Sequence, residues 1–212
     1  MYGVSTASSI VVPIAYIIAD CDPYSPYYRS SQRNLKRTQY QADLHGWNTQ
    51  IWPAVNGHKV TAADWQKIGV EMLDRGAMPK RHGAQGCWHS HWSLWLHCVD
   101  INQPIIVLEH DAYINDGWPQ DIDLDSCVWK LHRPDGRGDR INSITGQWSC
   151  GSWAYTLTPQ FARQLIDFSR DHGAQAVDKQ LGKSAIPWQY WSSNLVIHRP
   201  EVQFSTTCPK TR

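Results

Sequence analysis

Two carboxylates and an imidazole follow directly after an apolar segment of the chain. Residues 105–108 are Ile, Ile, Val and Leu, and Glu109, His110 and Asp111 come next. A short apolar run rich in β-branched residues predicts a central strand. In open α/β sheets the ligand crevice lies beyond the C-terminal ends of the strands, so these polar side chains are expected to face a ligand.

Glu109 and Asp111 are separated by one residue, and in an extended segment their carboxylates are expected to point the same way. Carboxylate oxygens are the hard ligands that Mg²⁺ and Mn²⁺ prefer. A divalent ion held there would neutralise charge on a departing nucleoside diphosphate. The pattern indicates a metal-dependent nucleotide-sugar transferase, although a solvated loop after a strand would have the same composition.

The elements that position these residues alternate between strands and helices. Strands are predicted at 10–19, 48–57, 126–131 and 149–158 in addition to 105–108, and helices at 31–45, 62–74, 86–100 and after Thr158-Pro159. This alternation predicts a single α/β domain over residues 1–212, with a mostly parallel central sheet flanked by helices.

The segment 86–100 has the clearest helical pattern. Its apolar stripe, at spacings of three and four, consists of Cys87, Trp88, His91, Leu94, Trp95, Cys98 and Val99. The stripe is expected to pack on the strand that follows, which places His91 just behind the strand end. His89 is expected at the surface on the opposite side of the helix.

Composition excludes some partners. The 212 residues carry a net charge of +1, with 42% hydrophobic and 18% charged residues, so nothing favours nucleic acid or an anionic membrane as a bulk partner. Six cysteines without a Cys-x-x-Cys pair are expected to be reduced thiols. The 12 tryptophans favour core packing over sugar stacking. Arg-Gly-Asp at 137–139 is a chance match in a polar loop.

Residues 8–20 are the most apolar N-terminal stretch. They are shorter than the ~20 apolar residues of a spanning helix, and no basic region precedes them. We expect no transmembrane segment and a cytoplasmic location.

Residues 86–95, Gly-Cys-Trp-His-Ser-His-Trp-Ser-Leu-Trp, and the strand after them resemble glycosyltransferase family 25. The pattern of that family is Gly-Cys, two residues, Ser-His, three residues, Trp, and then an apolar strand ending Leu-Glu-Asp-Asp. The first half matches throughout. In the second half Glu109 and Asp111 match, and His110 stands where the family has aspartate.

The resemblance extends over about residues 10–182, and 183–212 form a C-terminal extension. Ala-Val-Asn-Gly at 54–57 is similar to the family's Ala-Val-Asp-Gly. Downstream, 151–165 and Ala-Val-Asp-Lys-Gln-Leu at 176–181 resemble its Gly-x-x-Gly-Tyr and Val-Asp segments, with Ala154 in place of the second glycine.

The resemblance implies a GT-A-like fold and an inverting transfer of a hexose, often galactose, from a UDP-sugar to a saccharide or hydroxyl acceptor, as in lipopolysaccharide biosynthesis. The donor diphosphate is assigned to Glu109, His110, Asp111, Arg33 and Arg37. Mn²⁺ or Mg²⁺ is assigned to Glu109, Asp111 and His198. The remaining assignments are the general base, Asp178; the acceptor-stacking aromatics, Trp153 and Tyr155; and the supporting residues, Ser90 and His91.

Two other functions fit parts of the pattern. An inactive family member acting as a carbohydrate-binding module would explain the tryptophan content and the substitution at His110. A metal phosphohydrolase could be built from His89, His91, Glu109 and Asp111. The last is disfavoured because residues two apart on a helix diverge.

Overall fold

The structure, a computed structural model, describes residues 12–73, 78, 81–132, 151–184, 186–191 and 195–198. Three sequence-based predictions lie outside these residues: the Arg-Gly-Asp loop, the thiols of Cys150 and Cys208, and most of the C-terminal extension. His198 is described by its backbone alone.

Within these ranges, strands and helices largely alternate along the chain. The strands are β1 (Ile14–Ala19), β2 (Thr49–Pro53), β3 (Ile105–Glu109), β4 (Ala112–Ile114), β5 (Val128–Lys130), β6 (Ala154–Leu157), β7 (Trp188–Tyr190) and β8 (Val196–His198). The helices are α1 (Tyr28–Leu44), α2 (Ala62–Ile68), α3 (His82–Ile101), α4 (Pro159–His172) and α5 (Val177–Lys183). A short 3₁₀ helix spans Gly57–Lys59.

The central sheet has the order β2-β1-β3-β6-β5-β7 among the described strands. β1 pairs in parallel with β2 and β3, and β5 pairs in parallel with β7. β6 is antiparallel to both of its neighbours. The predicted α/β fold with a mostly parallel sheet is therefore confirmed, and β6 is its antiparallel strand.

Both faces of β1 and β3 are covered, which explains their continuous apolar sequences. Along β1, Tyr16 and Ile18 join the core beneath α3 and α4. Ile17 joins the second core, which packs against α1 through Leu35. Alternate residues of a strand point to opposite faces, so each strand contributes to two cores.

Several predicted elements are shorter in the structure; the strand predicted at 48–57, for example, is Thr49–Pro53. The helix predicted at 62–74 ends at Ile68 because Gly69 adopts a left-handed conformation (φ +67°). Of the strand predicted at 149–158, the described residues 151–158 form a strand over Ala154–Leu157, and Gly151, three residues before it, has φ +94°.

α3 is buried on almost its whole circumference, because α4, α5, the 3₁₀ helix and β3 all contact it. The predicted surface position of His89 is therefore wrong. His89 is 9% exposed, and its ring lies 4.3 Å from that of Trp65 and 5.4 Å from that of Trp88. Burial lowers the pKa of His89.

The tryptophans mainly fill the two cores, as expected for large apolar side chains. The buried ones are Trp47, Trp65, Trp88, Trp92, Trp95 and Trp118. None of the helices among the described residues is both long enough and apolar enough to cross a bilayer.

Candidate active site

An open cavity lies beyond the C-terminal ends of β1, β2 and β3. It contains about 630 Å³ of space, counting its mouth and the open solvent there. Its lining includes Ile18, Asp20, residues 54–58, Cys87, Ser90, His91, Glu109 and His110. Glu109, the last residue of β3, and His110, which follows it, thus line a cavity at the strand end.

The N-terminal half of α3 lies against the segment after β2 in very close backbone contact. A Cβ atom on Gly86 would be 2.4 Å from the Val55 carbonyl oxygen, and one on Gly57 would be 1.6 Å from the His82 carbonyl oxygen. The Ser90 hydroxyl accepts from the Val55 N–H (2.8 Å) and donates to the Gly86 carbonyl (2.7 Å). These contacts fix which side of α3 faces the cavity.

Asn56 caps the 3₁₀ helix at the rim of this cavity. Its Oδ1 accepts from the His58 N–H (3.0 Å), and its Nδ2 donates to Asp22 Oδ2 (3.4 Å). Lys59 donates to the same Asp22 oxygen at 2.7 Å, and this hydrogen bond is the main reason that the pKa of Asp22 is lowered. An aspartate at position 56, as in the family pattern, would place a second carboxylate beside Asp22.

His91 on α3 faces β6 with one ring nitrogen and the end of β3 with the other. Its Nδ1 lies 2.8 Å from the Tyr155 hydroxyl, which also accepts from Trp95 Nε1 (2.9 Å). Its Nε2 lies 3.6 Å from Glu109 Oε1 and has no hydrogen-bond partner among the described residues. The Ser152 hydroxyl donates to the same Glu109 oxygen at 2.7 Å. His91 is fully buried, as its place on the apolar stripe predicts.

Tyr155 is not available to an acceptor sugar, so that prediction is wrong. Its side chain is 0% exposed, its ring stacks on His91, and its hydroxyl is engaged by His91 and Trp95. Tyr155 lies in the middle of β6 with its side chain turned into the core beneath α3. Trp153 remains half-buried, and its ring stacks on His132 at 4.0 Å.

Three side chains at the inner wall of the cavity are arranged so that they could hold a metal ion. One ligand atom each from Cys87, His91 and Glu109 lies within 4.8 Å of the others. Cys21, Cys87, Cys98 and Cys127 are free thiols. Burial raises the pKa of the Cys87 thiol well above its usual range, and Glu109, Asp178 and Asp111 raise it further.

Asp111 does not continue the strand beside Glu109. β3 ends at Glu109 and a turn follows, so the extended geometry expected over 109–111 is not found. Asp111 is buried and lines a smaller cavity with Asn34, Arg37, Thr38, His110, Ala112 and Tyr113. The charges of Glu109 and Asp111 nevertheless both raise the pKa of the Cys87 thiol, so the two carboxylates contribute negative charge to the same region.

The other residues assigned to the donor lie at different distances from this region. Arg37 is exposed on α1 and borders the smaller cavity beside Asp111, whereas Arg33 is exposed and lines neither cavity described here. The backbone of His198 pairs with Ala112, one residue after Asp111. His110 borders both cavities, and its carbonyl accepts from the Thr38 hydroxyl at 2.8 Å.

Asp178 lies in the first turn of α5 and is partly exposed. Burial raises the pKa of its carboxyl, and the Glu109 charge raises it too; the Lys179 N–H, which donates at 2.9 Å, and the charge of Lys130 oppose this shift. Asp178 and Glu109 are therefore close enough to interact electrostatically.

Lys130, Cys87 and Ser152 are site residues that sequence reasoning missed. Lys130 is 1% exposed on β5, with Nζ 3.3 Å from the Gly151 carbonyl oxygen and 5.0 Å from the Trp188 ring centre. A buried lysine beside an acidic cluster is unusual. No pattern in the sequence singles out Lys130 or Ser152, and Cys87 stands on the apolar stripe and in the motif at 86–91 without being marked there as a ligand.

Residues 29–128 match the family model of glycosyltransferase family 25 (LPS biosynthesis protein). This segment is a glycosyltransferase family 25 domain. It contains α1, α3 and the end of β3, and hence most of the cavity wall. The family places the chain among the glycosyltransferases, as the resemblance predicted.

One similar solved structure is described as a crystal structure of a glycosyltransferase involved in the glycosylation of the major capsid of PBCV-1. It is 11% identical, the match covers 76% of this chain and 68% of that chain, and the TM-score is 0.38. At that TM-score the fold assignment rests on the strand order described above. No curated protein sequence matches this glycosyltransferase chain.

Proposed function

We propose that this glycosyltransferase moves a hexose, such as galactose, from a UDP-sugar to a saccharide or other hydroxyl acceptor, with inversion and with Mn²⁺ or Mg²⁺. The observation that carries the proposal is Glu109, whose carboxylate stands at the end of β3 on the wall of the 630 Å³ cavity within the family 25 segment. Ligands of open α/β sheets bind at such strand ends.

The residues assigned to the sugar-nucleotide donor suit a divalent cation that is bound to the donor's diphosphate. Glu109 and Asp111 offer oxygen ligands, and the backbone of His198 pairs with Ala112, the residue after Asp111. Asp111 lines the smaller cavity together with Arg37. A bound cation would neutralise the negative charge on the leaving diphosphate. Arg37, and Arg33 one turn earlier, would bind phosphate oxygens from α1.

His110 replaces a carboxylate with an imidazole between the two acids. It is 6% exposed and borders both cavities, so it separates Glu109 from Asp111 without adding negative charge. An imidazole ligand favours Mn²⁺ over Mg²⁺, which is why we expect Mn²⁺ to be the more effective ion.

Asp178 is the proposed general base. In an inverting displacement its carboxylate takes the proton of the acceptor hydroxyl, the acceptor oxygen bonds to the anomeric carbon, and the bond from that carbon to the diphosphate oxygen breaks. The support is a partly exposed carboxyl whose pKa is raised by burial, which makes it a stronger proton acceptor than an ordinary aspartate. Half-buried Trp153 is the remaining aromatic for stacking on the acceptor.

A non-catalytic carbohydrate-binding protein is the second possibility, and His110 in place of the family aspartate favours it. The phosphohydrolase has less support, since His89 packs on Trp65 and does not line the cavity. As part of the main proposal, residues 1–212 form one cytoplasmic domain with an acceptor related to lipopolysaccharide, following the description of the matched family.

Calorimetric titration with UDP and Mn²⁺ tests the proposal. Asp111→Asn should abolish Mn²⁺-dependent UDP binding, and Glu109→Gln should weaken it less severely, because each removes one negative oxygen ligand. Asp116→Asn, an exposed aspartate after β4, is the matched control and should bind like the parent. Unchanged affinity in both site variants would contradict the metal assignment.

A further inference from the structure

The side chains of Cys87, His91 and Glu109 form a ligand set of a different kind from the acid pair. A thiol and an imidazole are softer ligands than carboxylate oxygens and select ions such as Zn²⁺ over Mg²⁺. The three ligand atoms lie within 4.8 Å of one another and border the same open cavity.

Their spacing is close to that of a zinc site. Zn–S bonds of about 2.3 Å and Zn–N and Zn–O bonds of about 2.0–2.2 Å imply ligand separations of roughly 3.3–3.7 Å in a tetrahedron. His91 Nε2 and Glu109 Oε1 are 3.6 Å apart. Two ligand atoms as far apart as 4.8 Å would have to move about 1 Å closer to each other to bind one ion.

The histidine is already oriented for ligation. His91 is 0% exposed, and its Nε2 faces Glu109 without a hydrogen-bond partner among the described residues. Its Nδ1 is 2.8 Å from the Tyr155 hydroxyl, a partner that can accept the Nδ1 proton and leave the Nε2 lone pair for a metal. Histidine ligands in metal sites commonly have such a partner on the other nitrogen.

The surrounding charge also favours a cation. The negative charges of three carboxylates raise the pKa of the Cys87 thiol; they belong to Glu109, Asp111 and Asp178. The Ser152 hydroxyl donates to Glu109 Oε1, and a carboxylate has further lone pairs for a metal. A divalent ion would replace the Cys87 thiol proton, which leaves to solvent.

We propose that Cys87, His91 and Glu109 form a three-residue site for a thiophilic divalent cation of the Zn²⁺ class, with a fourth position open to the cavity. Three protein ligands and one open position are typical of zinc sites that exchange water or substrate. If the proposed function is right, Zn²⁺ held there competes with the donor's Mn²⁺ for Glu109.

Co²⁺ binding to the metal-free protein tests the site without any sugar nucleotide. A Cys21→Ser background removes the thiol that is exposed among the described cysteines. In that background Co²⁺ should produce a near-ultraviolet sulfur-to-metal charge-transfer band that excess Zn²⁺ abolishes. Cys87→Ser should lose the band and weaken Zn²⁺ binding at least about tenfold. Removal of a residue that only hydrogen-bonds to a metal ligand already costs about that much affinity, and removal of the ligand itself should cost no less. Cys127→Ser, which removes a buried thiol outside the site, should retain both.

Glu109→Gln and His91→Gln keep the test decisive if Cys87→Ser fails to fold. Both keep the thiol, and each should weaken Zn²⁺ binding by a similar factor, with circular dichroism confirming the fold. A charge-transfer band that survives Cys87→Ser, or Zn²⁺ affinity unchanged in the His91 and Glu109 variants, would overturn the site. Such a result would leave UDP and Mn²⁺ binding unaffected, so it is distinguishable from failure of the proposed function.

Discussion

His91 has a structural role that is visible before any ligand is considered. Its ring is fully buried, stacks on Tyr155 and hydrogen-bonds to that hydroxyl. Replacing it with alanine leaves a buried hydroxyl with one partner fewer and creates space beside it. The side chain therefore contributes to the stability of the α3–β6 contact as well as to the cavity wall.

We expect His91→Ala to lower the free energy of unfolding by about 1–3 kcal/mol, the typical cost of leaving a buried polar group without its partner. Denaturant unfolding at equilibrium measures it. Transfer activity should fall with the folded fraction. An alanine variant as stable as the parent but inactive would instead assign His91 a direct role in catalysis.

Asp178→Asn should separate binding from turnover. The amide keeps the shape of the side chain but cannot accept the acceptor proton, so sugar transfer should slow by about 10²–10⁴-fold while UDP and Mn²⁺ bind as in the parent. Asp167→Asn, an aspartate on α4 outside the cavity lining, is the control. Near-parent transfer by Asp178→Asn would show that the base lies elsewhere.

The same carboxyl predicts a pH dependence. Because the folded pKa of Asp178 is raised above 3.8, the group is protonated in the fold at pH values where an ordinary aspartate is ionised. Transfer should fall on acidification with a midpoint above 3.8 if Asp178 is the base. The raised pKa also means that the free energy of unfolding decreases as pH rises from 3.8 through the folded pKa. Asp178→Asn should therefore be no less stable than the parent at neutral pH, as urea titration can show.

At the residue scale, sequence reasoning found the side chains that stand in a recognisable pattern. Glu109 follows an apolar strand and His91 lies on a helical stripe, so their placement could be predicted. Ser152 and Lys130 reach the site only through the pairing of β6 with β3 and β5. Pattern and spacing along the chain do not contain that pairing.

At the element scale, the motif over 86–95 is explained by the docking of α3. Gly86 permits close contact with Val55, Ser90 binds the Val55 N–H, and Trp95 donates to the Tyr155 hydroxyl. His91 and Cys87 are then presented at the cavity. Each position of the motif thus either brings α3 close to its neighbours or faces the site.

Gly57→Ala tests this contact. The new Cβ would stand 1.6 Å from the His82 carbonyl oxygen, a backbone atom that cannot move without shifting α3. We expect a loss of about 1–3 kcal/mol in the free energy of unfolding, as for other overpacked sites. Gly117→Ala is the matched control, because its Cβ would meet the His45 oxygen at an ordinary 3.7 Å. Equal denaturation midpoints for the two variants would contradict the close contact.

The order of strands and helices was largely predictable from the sequence, because apolar runs and helical stripes are local. The length of α2 and the exposure of His89 were not. Gly69 ends α2 by adopting a positive φ, which its sequence context permits but does not require. His89 is covered because α3 is surrounded by other elements, a tertiary arrangement that the stripe of α3 alone does not indicate.

At the scale of the whole molecule, a nearly neutral chain concentrates negative charge at one end of its sheet. The net charge is +1, yet Glu109, Asp111 and Asp178 gather around Cys87, with Lys130 close to Asp178. A site of this kind suits a cation and a phosphorylated donor held locally. The family 25 segment and the cavity coincide in this region.

The most direct test is release of nucleoside diphosphate from a panel of nucleotide sugars, measured with Mn²⁺ and with a chelator, in the presence of saccharide acceptors. We predict that a UDP-hexose is consumed only with the metal, and that release is lost in Asp111→Asn. Mn²⁺-dependent UDP binding without turnover of any nucleotide sugar would favour a carbohydrate-binding protein instead. Release that continues undiminished in the chelator would contradict metal-dependent transfer at this site.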